Sequence, residues 1–196
     1  MVDVEGFGDR HRTRPHQRAV RDGLYVVMEA AFAAAGAAWK DCYREDRGDG
    51  MFVLVPVGVD RVAFIEALLP VLVTRLRVHN DAHVEAQRIR LRISLHSGEV
   101  VIDEHGVTST ALVHAHRLCD ATPLKAALAA SPGVLAAIAS AEVYDDVIRH
   151  AAGAAPDSWR QVPVEVKETA ATGWVHLPDH PYLAALDPGP SDTHTA

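Results

Sequence analysis

A glycine-rich turn between a charged segment and an apolar segment constrains this chain more than any other feature. Residues 43–56 read YREDRGDGMFVLVP, so the turn Gly48-Asp49-Gly50 directly precedes an apolar run. Tight hairpin turns favour glycine and aspartate, because these residues tolerate a positive φ. The sequence therefore predicts a β-hairpin with strands over 38–45 and 51–55.

Hydrophobic periodicity predicts the elements on either side of this hairpin. A short strand is predicted within residues 1–7, and helical spacing predicts helices over 16–35 and 60–79. Strict alternation in RIRLRISLH predicts a strand over 88–96. The remaining predictions are a strand at 99–103, helices at 109–120 and 123–130, a helix in AEVYDDVIRH and a final hairpin. VLAAIAS is predicted as a strand, with a helix as the alternative.

The predicted order β-α-β-β-α-β is typical of an α+β domain. We expect a mixed or antiparallel sheet with the helices on one face. One domain is predicted over 1–178. The tail over 179–196 contains several proline and glycine residues and is predicted to be flexible.

Composition excludes several classes of protein. The chain has 196 residues and is 48% hydrophobic, which is enough for one core. A net charge of −7 disfavours a general nucleic-acid binder. No apolar run approaches the roughly 20 residues of a membrane helix, and the first residues lack the apolar segment of a signal peptide. Cys42 and Cys119 have no zinc or redox spacing. We therefore expect a cytoplasmic protein without a membrane or nucleic-acid partner.

Two aspartates provide the first indication of chemistry. Asp3 ends the first predicted strand just before Gly6-Phe7-Gly8, and Asp49 lies in the hairpin turn. In a β-α-β-β unit these strands are commonly neighbours, so the two carboxylates can converge. Carboxylates together with phosphate oxygens suit Mg²⁺, and glycines at a helix start let backbone N–H groups approach phosphate. A turn aspartate beside a helix-capping segment explains the same residues without a ligand.

Four segments in this order resemble the class III nucleotide cyclases, the catalytic domains of adenylate and guanylate cyclases. They are Asp-Val-Glu-Gly-Phe at residues 3–7, Gly-Asp-Gly at 48–50, RLRISLHSGEVV at 90–101 and AHRL at 115–118. The resemblance extends from Val2 to about Pro178. It implies a ferredoxin-like βαββαβ core and the formation of a 3′,5′-cyclic nucleotide and pyrophosphate from a nucleoside triphosphate.

The resemblance implies roles for particular residues. Asp3, Asp49 and the main-chain carbonyl of Val4 match the ligands of two Mg²⁺ or Mn²⁺ ions. The segment that cradles the triphosphate is matched by residues 5–8, among them Gly6, Phe7 and Gly8. Arg117 matches the arginine that stabilises the transition state. Because the family works as a head-to-tail dimer, Arg117 is expected to act on a nucleotide held by a second copy.

Base choice in the family depends on the strand before Gly-Asp-Gly. The position three residues before the first glycine is Glu45, as in guanylate cyclases, and Tyr43 shares its strand face. A carboxylate can accept hydrogen bonds from guanine, so GTP is the favoured substrate. Bacterial antiphage pyrimidine cyclases also resemble this family, so CTP and UTP remain alternatives. An ion pair of Glu45 with Arg44 or Arg47 is the simpler alternative.

Three further basic side chains are candidates for contact with the triphosphate. Lys167 roughly matches a late lysine of the family that holds the phosphates. Arg90 and Arg92 lie on the polar face of their strand, which suits either phosphate or an exposed sheet face.

The chain departs from the family at two positions of the helix that carries Arg117. Val113 stands where an asparagine orients the ribose, and Ser109 replaces a glycine. His114 and His116 are candidates to replace the asparagine or are plain surface residues. These departures favour a second hypothesis, a non-catalytic cyclase-homology module that binds nucleotide or a protein partner. A third hypothesis is a ferredoxin-like binding domain without a nucleotide site.

Overall fold

A computed structural model describes residues 1–180. The helices are α1 (Arg14–Ala34), α2 (Arg61–Asp81), α3 (Thr110–Asp120), α4 (Thr122–Ala130) and α5 (Ala141–Asp146). The strands are β1 (Val2–Val4), β2 (Tyr43–Asp46), β3 (Gly50–Leu54), β4 (Leu91–Leu95), β5 (Val101–Asp103), β6 (Gly106–Thr108), β7 (Leu135–Ser140), β8 (Arg160–Val166) and β9 (Thr169–His176).

Seven of these strands form one sheet, in the order β2-β3-β1-β4-β7-β9-β8. All neighbours in it are antiparallel except β4 and β7, which are parallel. Strands β5 and β6 form a separate two-stranded sheet. The predicted α+β fold with a mixed sheet is therefore confirmed.

The predicted hairpin forms around Gly48, whose φ of +88° is the conformation that favours glycine. The Arg47 N–H donates to the Gly50 carbonyl at 2.8 Å and closes the turn. The first strand begins at Tyr43 rather than at residue 38, because Trp39–Asp41 form a 3₁₀ turn. The buried Trp39 ring packs edge-on against Phe32 with ring centroids 5.3 Å apart, so the chain turns here before the strand begins.

Helices α1 and α2 cover one face of the sheet, which we call the α1 face. Their buried apolar residues pack with Val2, Met51 and Ile93 of the central strands in one continuous core. The start of α2 is fixed by Asp60, whose side chain accepts hydrogen bonds from Val62 N–H (2.9 Å) and Ala63 N–H (3.2 Å).

Helices α3 and α4 pack on the opposite face, which we call the α3 face. Leu118, Leu124 and Leu128 of these helices contact a second core that contains Ile138 and Val164. The prediction that all helices lie on one face is therefore wrong. The physical reason is β7, whose six residues are all buried, so this strand needs cover on both sides.

Sequence periodicity missed the strand β6 and extended two elements too far. Strand β5 begins at Val101 rather than at residue 99, and it pairs with β6 in an exposed hairpin. The helix predicted in AEVYDDVIRH ends at Asp146 and gives way to a 3₁₀ turn over Ile148–His150. The final hairpin is confirmed as β8 and β9.

Within residues 1–180, no helix is both long and apolar enough to span a bilayer. Most of the predicted tail, residues 181–196, lies outside the described residues. Asp179 is described, and its carboxylate accepts a hydrogen bond from Val134 N–H at 2.9 Å and pairs with Arg77 at 3.2 Å.

Gly50 brings β3 unusually close to β1, and this predicts a large steric effect of substitution. A Cβ added at Gly50 would overlap the Val2 carbonyl oxygen and lie 2.9 Å from its carbon atom, whereas one at Gly58 would meet no atom within 4 Å. We expect Gly50→Ala to lower the free energy of unfolding by about 3 kcal/mol, and Gly58→Ala by no more than about 0.5 kcal/mol. Urea denaturation measures both; equal effects would contradict the close approach.

His176 predicts a loss of stability in acid. Its Nδ1 lies 3.0 Å from Ser158 Oγ and its ring stacks on Trp159 at 4.9 Å. Burial lowers the pKa of His176 to about 4 from 6.5. Because the unfolded chain takes up this proton first, the free energy of unfolding falls as the pH drops from 6.5 towards 4, by up to about 3 kcal/mol from this residue.

The matched variant for this test is His176→Phe, which keeps a ring against Trp159 and removes the titration. We expect the variant to lose less stability than the parent chain between pH 7.5 and pH 4.5 in urea denaturation. Burial also lowers the pKa of three other histidines, which titrate in both proteins: His79, His96 and His116. Parallel pH profiles of the two proteins would refute the assignment to His176.

Candidate functional site

Side chains alternate between the two faces of the sheet along a strand, and this divides the charged residues of the segment YREDR, residues 43–47, between the two faces. Asp46 lies on the α1 face, where its Oδ2 accepts hydrogen bonds from Arg21 Nε and Tyr25 OH, both at 2.8 Å. Glu45 pairs in register with Phe52, whose ring contacts His116 of α3. The charged run is therefore divided, and Tyr43, Glu45 and the residues in register with them belong to the α3 face.

The structure brings Asp3 and Asp49 together. Asp3 lies opposite Gly50 in β3, and the next residue, Val4, donates its N–H to the Asp49 carbonyl at 2.9 Å. In a strand the N–H and C=O of one residue point to the same neighbour, so the Val4 carbonyl is also directed towards Asp49. It accepts a long bond of 3.4 Å from Phe7 N–H. The backbone of Asp49 therefore lies next to Val4 and close to Asp3.

The charge around Asp3 is mixed. Burial raises the pKa of Asp3, Arg92 lowers it, and the carboxylates of Asp49 and Asp120 raise it further. The net direction is upward. The rise in the pKa of Asp3 is therefore mainly an effect of burial, which outweighs the ion pair with Arg92, and repulsion by Asp49 and Asp120 adds to it.

Arg92 lies directly opposite Asp3 in β4 and is its ion-pair partner. Arg92 Nε donates to Asp3 Oδ2 at 2.7 Å, and Nη2 donates to the same oxygen. The side chains are only 13% and 19% exposed. Arg92 therefore holds the Asp3 carboxylate in place, and any ligand of Asp3 shares it with this guanidinium.

The segment Gly6-Phe7-Gly8 turns the chain between β1 and α1. Gly6 has a φ of +63°, and a Cβ at Gly6 or Gly8 would meet no atom within 4 Å. Phe7 packs against the core, and its carbonyl accepts a 3.3 Å hydrogen bond from Gln17 Nε2. The turn is therefore anchored through Phe7, while the space beside both glycines is open.

Arg90 is taken up by structural contacts. Its guanidinium donates to Glu5 Oε2 at 2.6 Å and to the carbonyls of Gly133 (3.1 Å), Ser131 (2.8 Å) and Leu128. These bonds join β4 to the loop before β7. Arg90 therefore links these elements, and few of its hydrogen-bond donors remain for a phosphate.

Glu45 already holds two partners. Tyr43 OH donates to Glu45 Oε1 at 2.7 Å, and this bond raises the pKa of Tyr43. Arg47 Nη2 lies 3.0 Å from Glu45 Oε2. The ion pair weighed at the sequence level is thus present, and it engages the residue expected to read the base.

Arg47 is the residue of this site that the sequence analysis did not assign to a ligand. Its guanidinium lies over the Phe52 ring, 5.0 Å from the centroid. It borders a cleft of about 520 Å³ whose other walls come from β6 and α3: Val107, Thr108, Ser109, Thr110, Leu112, Val113 and His116. The i, i+2 spacing of residues 43, 45 and 47 is the signal that could have indicated their shared face.

Arg117 points away from the two aspartates. Its Nη2 lies 3.0 Å from Glu168 Oε1 in the turn between β8 and β9, next to the exposed Lys167. That turn is three to four strand spacings from β1, roughly 14 to 19 Å. Within residues 1–180 the buried Arg117 Nε has no hydrogen-bond partner. The structure therefore groups Arg117 with Lys167 and separates both from Asp3 and Asp49.

The histidines of α3 contact other parts of the α3 face. His114 lies 4.7 Å, ring to ring, from His96, and His116 lies edge-on to Phe52 at 6.3 Å. Val113, the residue before His114, is 47% exposed and lines the cleft.

Comparison with known proteins adds no relative. No protein-family model matches the chain, and no curated protein sequence matches it.

The ion pair of Asp3 and Arg92 predicts a strong dependence of stability on Arg92. We expect Arg92→Met to lower the free energy of unfolding by about 3 kcal/mol, because it leaves a largely buried carboxylate without its cation. Adding Asp3→Asn to this variant should recover a large part of the loss. Urea denaturation in the presence of a chelator measures the coupling.

Arg18→Met is the matched control, because Arg18 and its partner Asp22 are 85% and 68% exposed. Its expected cost is below about 1 kcal/mol. A loss in Arg92→Met no larger than this control would show that the pair contributes nothing to the site's rigidity.

Proposed function

We propose that this chain is a nucleotide cyclase-like protein that binds a nucleoside triphosphate with Mg²⁺ or Mn²⁺ and converts it to a 3′,5′-cyclic nucleotide and pyrophosphate. The single observation that carries the proposal is the approach of Asp3 to Asp49. The 2.9 Å bond from Val4 to Asp49 places the two predicted metal ligands on adjoining chain segments. GTP is the favoured substrate because Glu45 lies on the same face.

The topology supports this proposal. The elements β1-α1-β2-β3-α2-β4 give the strand order β2-β3-β1-β4, with β1 antiparallel to both neighbours. This order is compatible with the ferredoxin-like βαββαβ core implied by the resemblance to class III cyclases. The helix that carries Arg117 crosses the α3 face, where Asp3 also lies.

The donor set fits a metal that arrives with its nucleotide. Asp3, Asp49 and the Val4 carbonyl supply oxygen ligands, which Mg²⁺ uses together with phosphate oxygens. Among residues 1–180, no group of three or more histidine, cysteine or acidic side chains is arranged to hold a metal. The carboxylates of Asp49 and Asp120 act on Asp3, and a triphosphate supplies further oxygen ligands for the ion that it brings. Divalent ions, when bound, supply positive charge to the reacting hydroxyl and phosphates.

The remaining roles belong to the chain's own residues. Arg92 orients the Asp3 carboxylate. The space beside Gly6 and Gly8 is open, so a phosphate can approach the backbone of this turn, in which the Phe7 N–H is already bonded to the Val4 carbonyl. Glu45 and Tyr43 border the base, and Lys167 lies beside Arg117 at the far end of α3. These residues bind and orient the nucleotide so that its 3′-hydroxyl reaches the α-phosphate.

The position of Arg117 supports a head-to-tail homodimer. The Arg117 guanidinium is directed to the turn between β8 and β9, which lies roughly 14 to 19 Å from β1, and not to the nucleotide that Asp3 would hold. A second copy placed head to tail can supply Arg117 to this site and remove it from Glu168. The buried Nε without a partner in the described residues is then available to the developing charge.

A second candidate function is a non-catalytic module that binds nucleotide. Val113 favours it, because a valine side chain cannot hydrogen-bond a ribose, and Arg117 is already paired with Glu168. In this case the metal–nucleotide site persists without turnover.

A product assay decides between these functions. Purified protein is incubated separately with ATP, GTP, CTP and UTP, with Mg²⁺ or Mn²⁺, and cyclic nucleotides are identified by mass spectrometry. We expect cyclic GMP. Asp3→Asn and Asp49→Asn should each lower the rate by about 100-fold or more, because each removes a ligand of the catalytic ions.

Asp157→Asn, an exposed aspartate next to β8, is the matched control and should keep the parent rate. A cyclic pyrimidine product would support the cyclase and change the base. No product combined with thermal stabilisation by metal and triphosphate would favour the non-catalytic module. Neither product nor stabilisation would refute both and leave a binding domain without a nucleotide site.

A further inference from the structure

A second cavity, of about 530 Å³, lies between the ends of two strands of the sheet. Strand β1 pairs with its neighbours as far as Val2, which lies opposite Met51 of β3 and Ile93 of β4. Beyond this point β3 continues to Leu54 and β4 continues to Leu95. The space between them, with walls from α1, α2, α3 and α5, is called here the α2 cavity.

The interior of the α2 cavity is apolar. Its inner wall contains core residues of α1 and α2 that are at most 6% exposed: Met28, Phe32, Phe64, Ile65 and Leu68. The volume lies within the range of small-molecule sites. A ligand that enters here therefore removes its own apolar surface from water, which is the main favourable contribution to binding in such a site.

The solvent-exposed end of the α2 cavity is apolar too. Val57, which lines this end, is fully exposed, and two further wall residues, Val55 and Val100, are 37% and 38% exposed. Neighbouring apolar side chains on a surface indicate a contact site. Here they lead into an apolar interior, so they form the entrance for a ligand with an apolar part.

The ionisable side chains in the walls indicate the charge of the ligand. They are Arg61 and His96, both basic, and no acidic side chain of residues 1–180 lines the cavity. The chain as a whole has 26 acidic side chains against 19 of lysine and arginine. The α2 cavity is therefore a place on an acidic protein where an anion meets no like charge in the wall.

Arg61 is the wall residue that is available to such an anion. It is exposed at the start of α2, and it has no ion-pair partner among residues 1–180. The carboxylate of the preceding Asp60 accepts hydrogen bonds from backbone N–H groups of α2 instead. His96 is turned towards α5, where its Nδ1 lies 2.9 Å from Ser140 Oγ and 4.0 Å from Glu142.

We propose that the α2 cavity binds a fatty acid of medium length, with the alkyl chain in the apolar interior and the carboxylate at Arg61. One free cation at the entrance matches a single negative charge. A methylene group is about the size of a water molecule, whose share of liquid volume is about 30 Å³, so the cavity holds a chain of about 10 to 14 carbons. This site does not depend on the proposed nucleotide site, because its inner wall belongs to the core of the α1 face.

Isothermal titration with a series of saturated fatty acids tests the cavity. The series runs from hexanoate through octanoate, decanoate and dodecanoate to hexadecanoate, each below its micelle concentration. We expect the Kd to fall by about two- to fourfold for each added methylene, as burial of a methylene provides. The fall should stop once the cavity is full. No binding, or a Kd that does not change with chain length, would overturn the proposal.

The head group is tested with decanoate and decanol, which share a chain and differ in charge. Arg61→Met should weaken decanoate binding by about 10-fold, since it removes a charge-assisted hydrogen bond, and change decanol binding by less than about twofold. Arg75→Met, an exposed arginine of the same helix outside the cavity, is the matched control and should leave both Kd values unchanged. Equal losses for decanoate and decanol in Arg61→Met would refute the carboxylate site.

Val143→Phe tests whether the chain lies inside the cavity. Val143 of α5 is 6% exposed and lines the wall, so the larger ring takes up space that the end of a long chain would use. We expect the Kd to stop falling at a chain about two methylenes shorter than in the parent, with the preference for decanoate over decanol retained. Urea denaturation checks that the variant folds; because Arg61 is exposed, its variants keep the proposal testable where Val143→Phe does not fold. An unchanged chain-length profile in folded Val143→Phe would show that the acids bind elsewhere.

Discussion

The placement of β1 between β3 and β4 determines most of what this molecule can do. The strand has three residues, yet it pairs on both edges and joins the hairpin β2–β3 to the rest of the sheet. Gly50 allows this, because any side chain there would collide with the backbone of β1. As a result Asp3, at the centre of the sheet, comes within reach of the turn that carries Asp49.

The same strand pairing brings acidic side chains into a partly buried position, and two arginines, one in β4 and one just before it, compensate for their charge. Arg92 faces Asp3 and Arg90 faces Glu5, so two acidic residues around the end of β1 each have a cationic partner. Largely buried ion pairs contribute little net stability compared with apolar packing, but loss of one partner is costly. Their value here is geometric: they fix the orientation of the carboxylates on the open part of the α3 face.

The two faces of the sheet differ in what covers them. The α1 face holds the larger core, with α1 and α2 packed on Val2, Met51 and Ile93. The α3 face is apolar only under α3 and α4, and towards β1, β3 and β2 it carries polar and aromatic side chains around a cleft. The larger core therefore lies on the α1 face, and part of the α3 face is left open around the cleft.

The sequence by itself determined the hairpin at Gly48-Asp49-Gly50, the amphipathic helix α1 and the alternating strand β4, because turn conformation and side-chain periodicity are local properties. It also indicated the pairing of Asp3 with Asp49 through a common strand order. Only the tertiary structure decided that β7 is covered on both faces, that Arg90 is used within the protein, and that Arg47 joins Glu45 beside a cleft formed with β6 and α3. These features depend on contacts between residues distant in the chain, and no local pattern of hydrophobicity or charge specifies which of several possible partners a side chain meets.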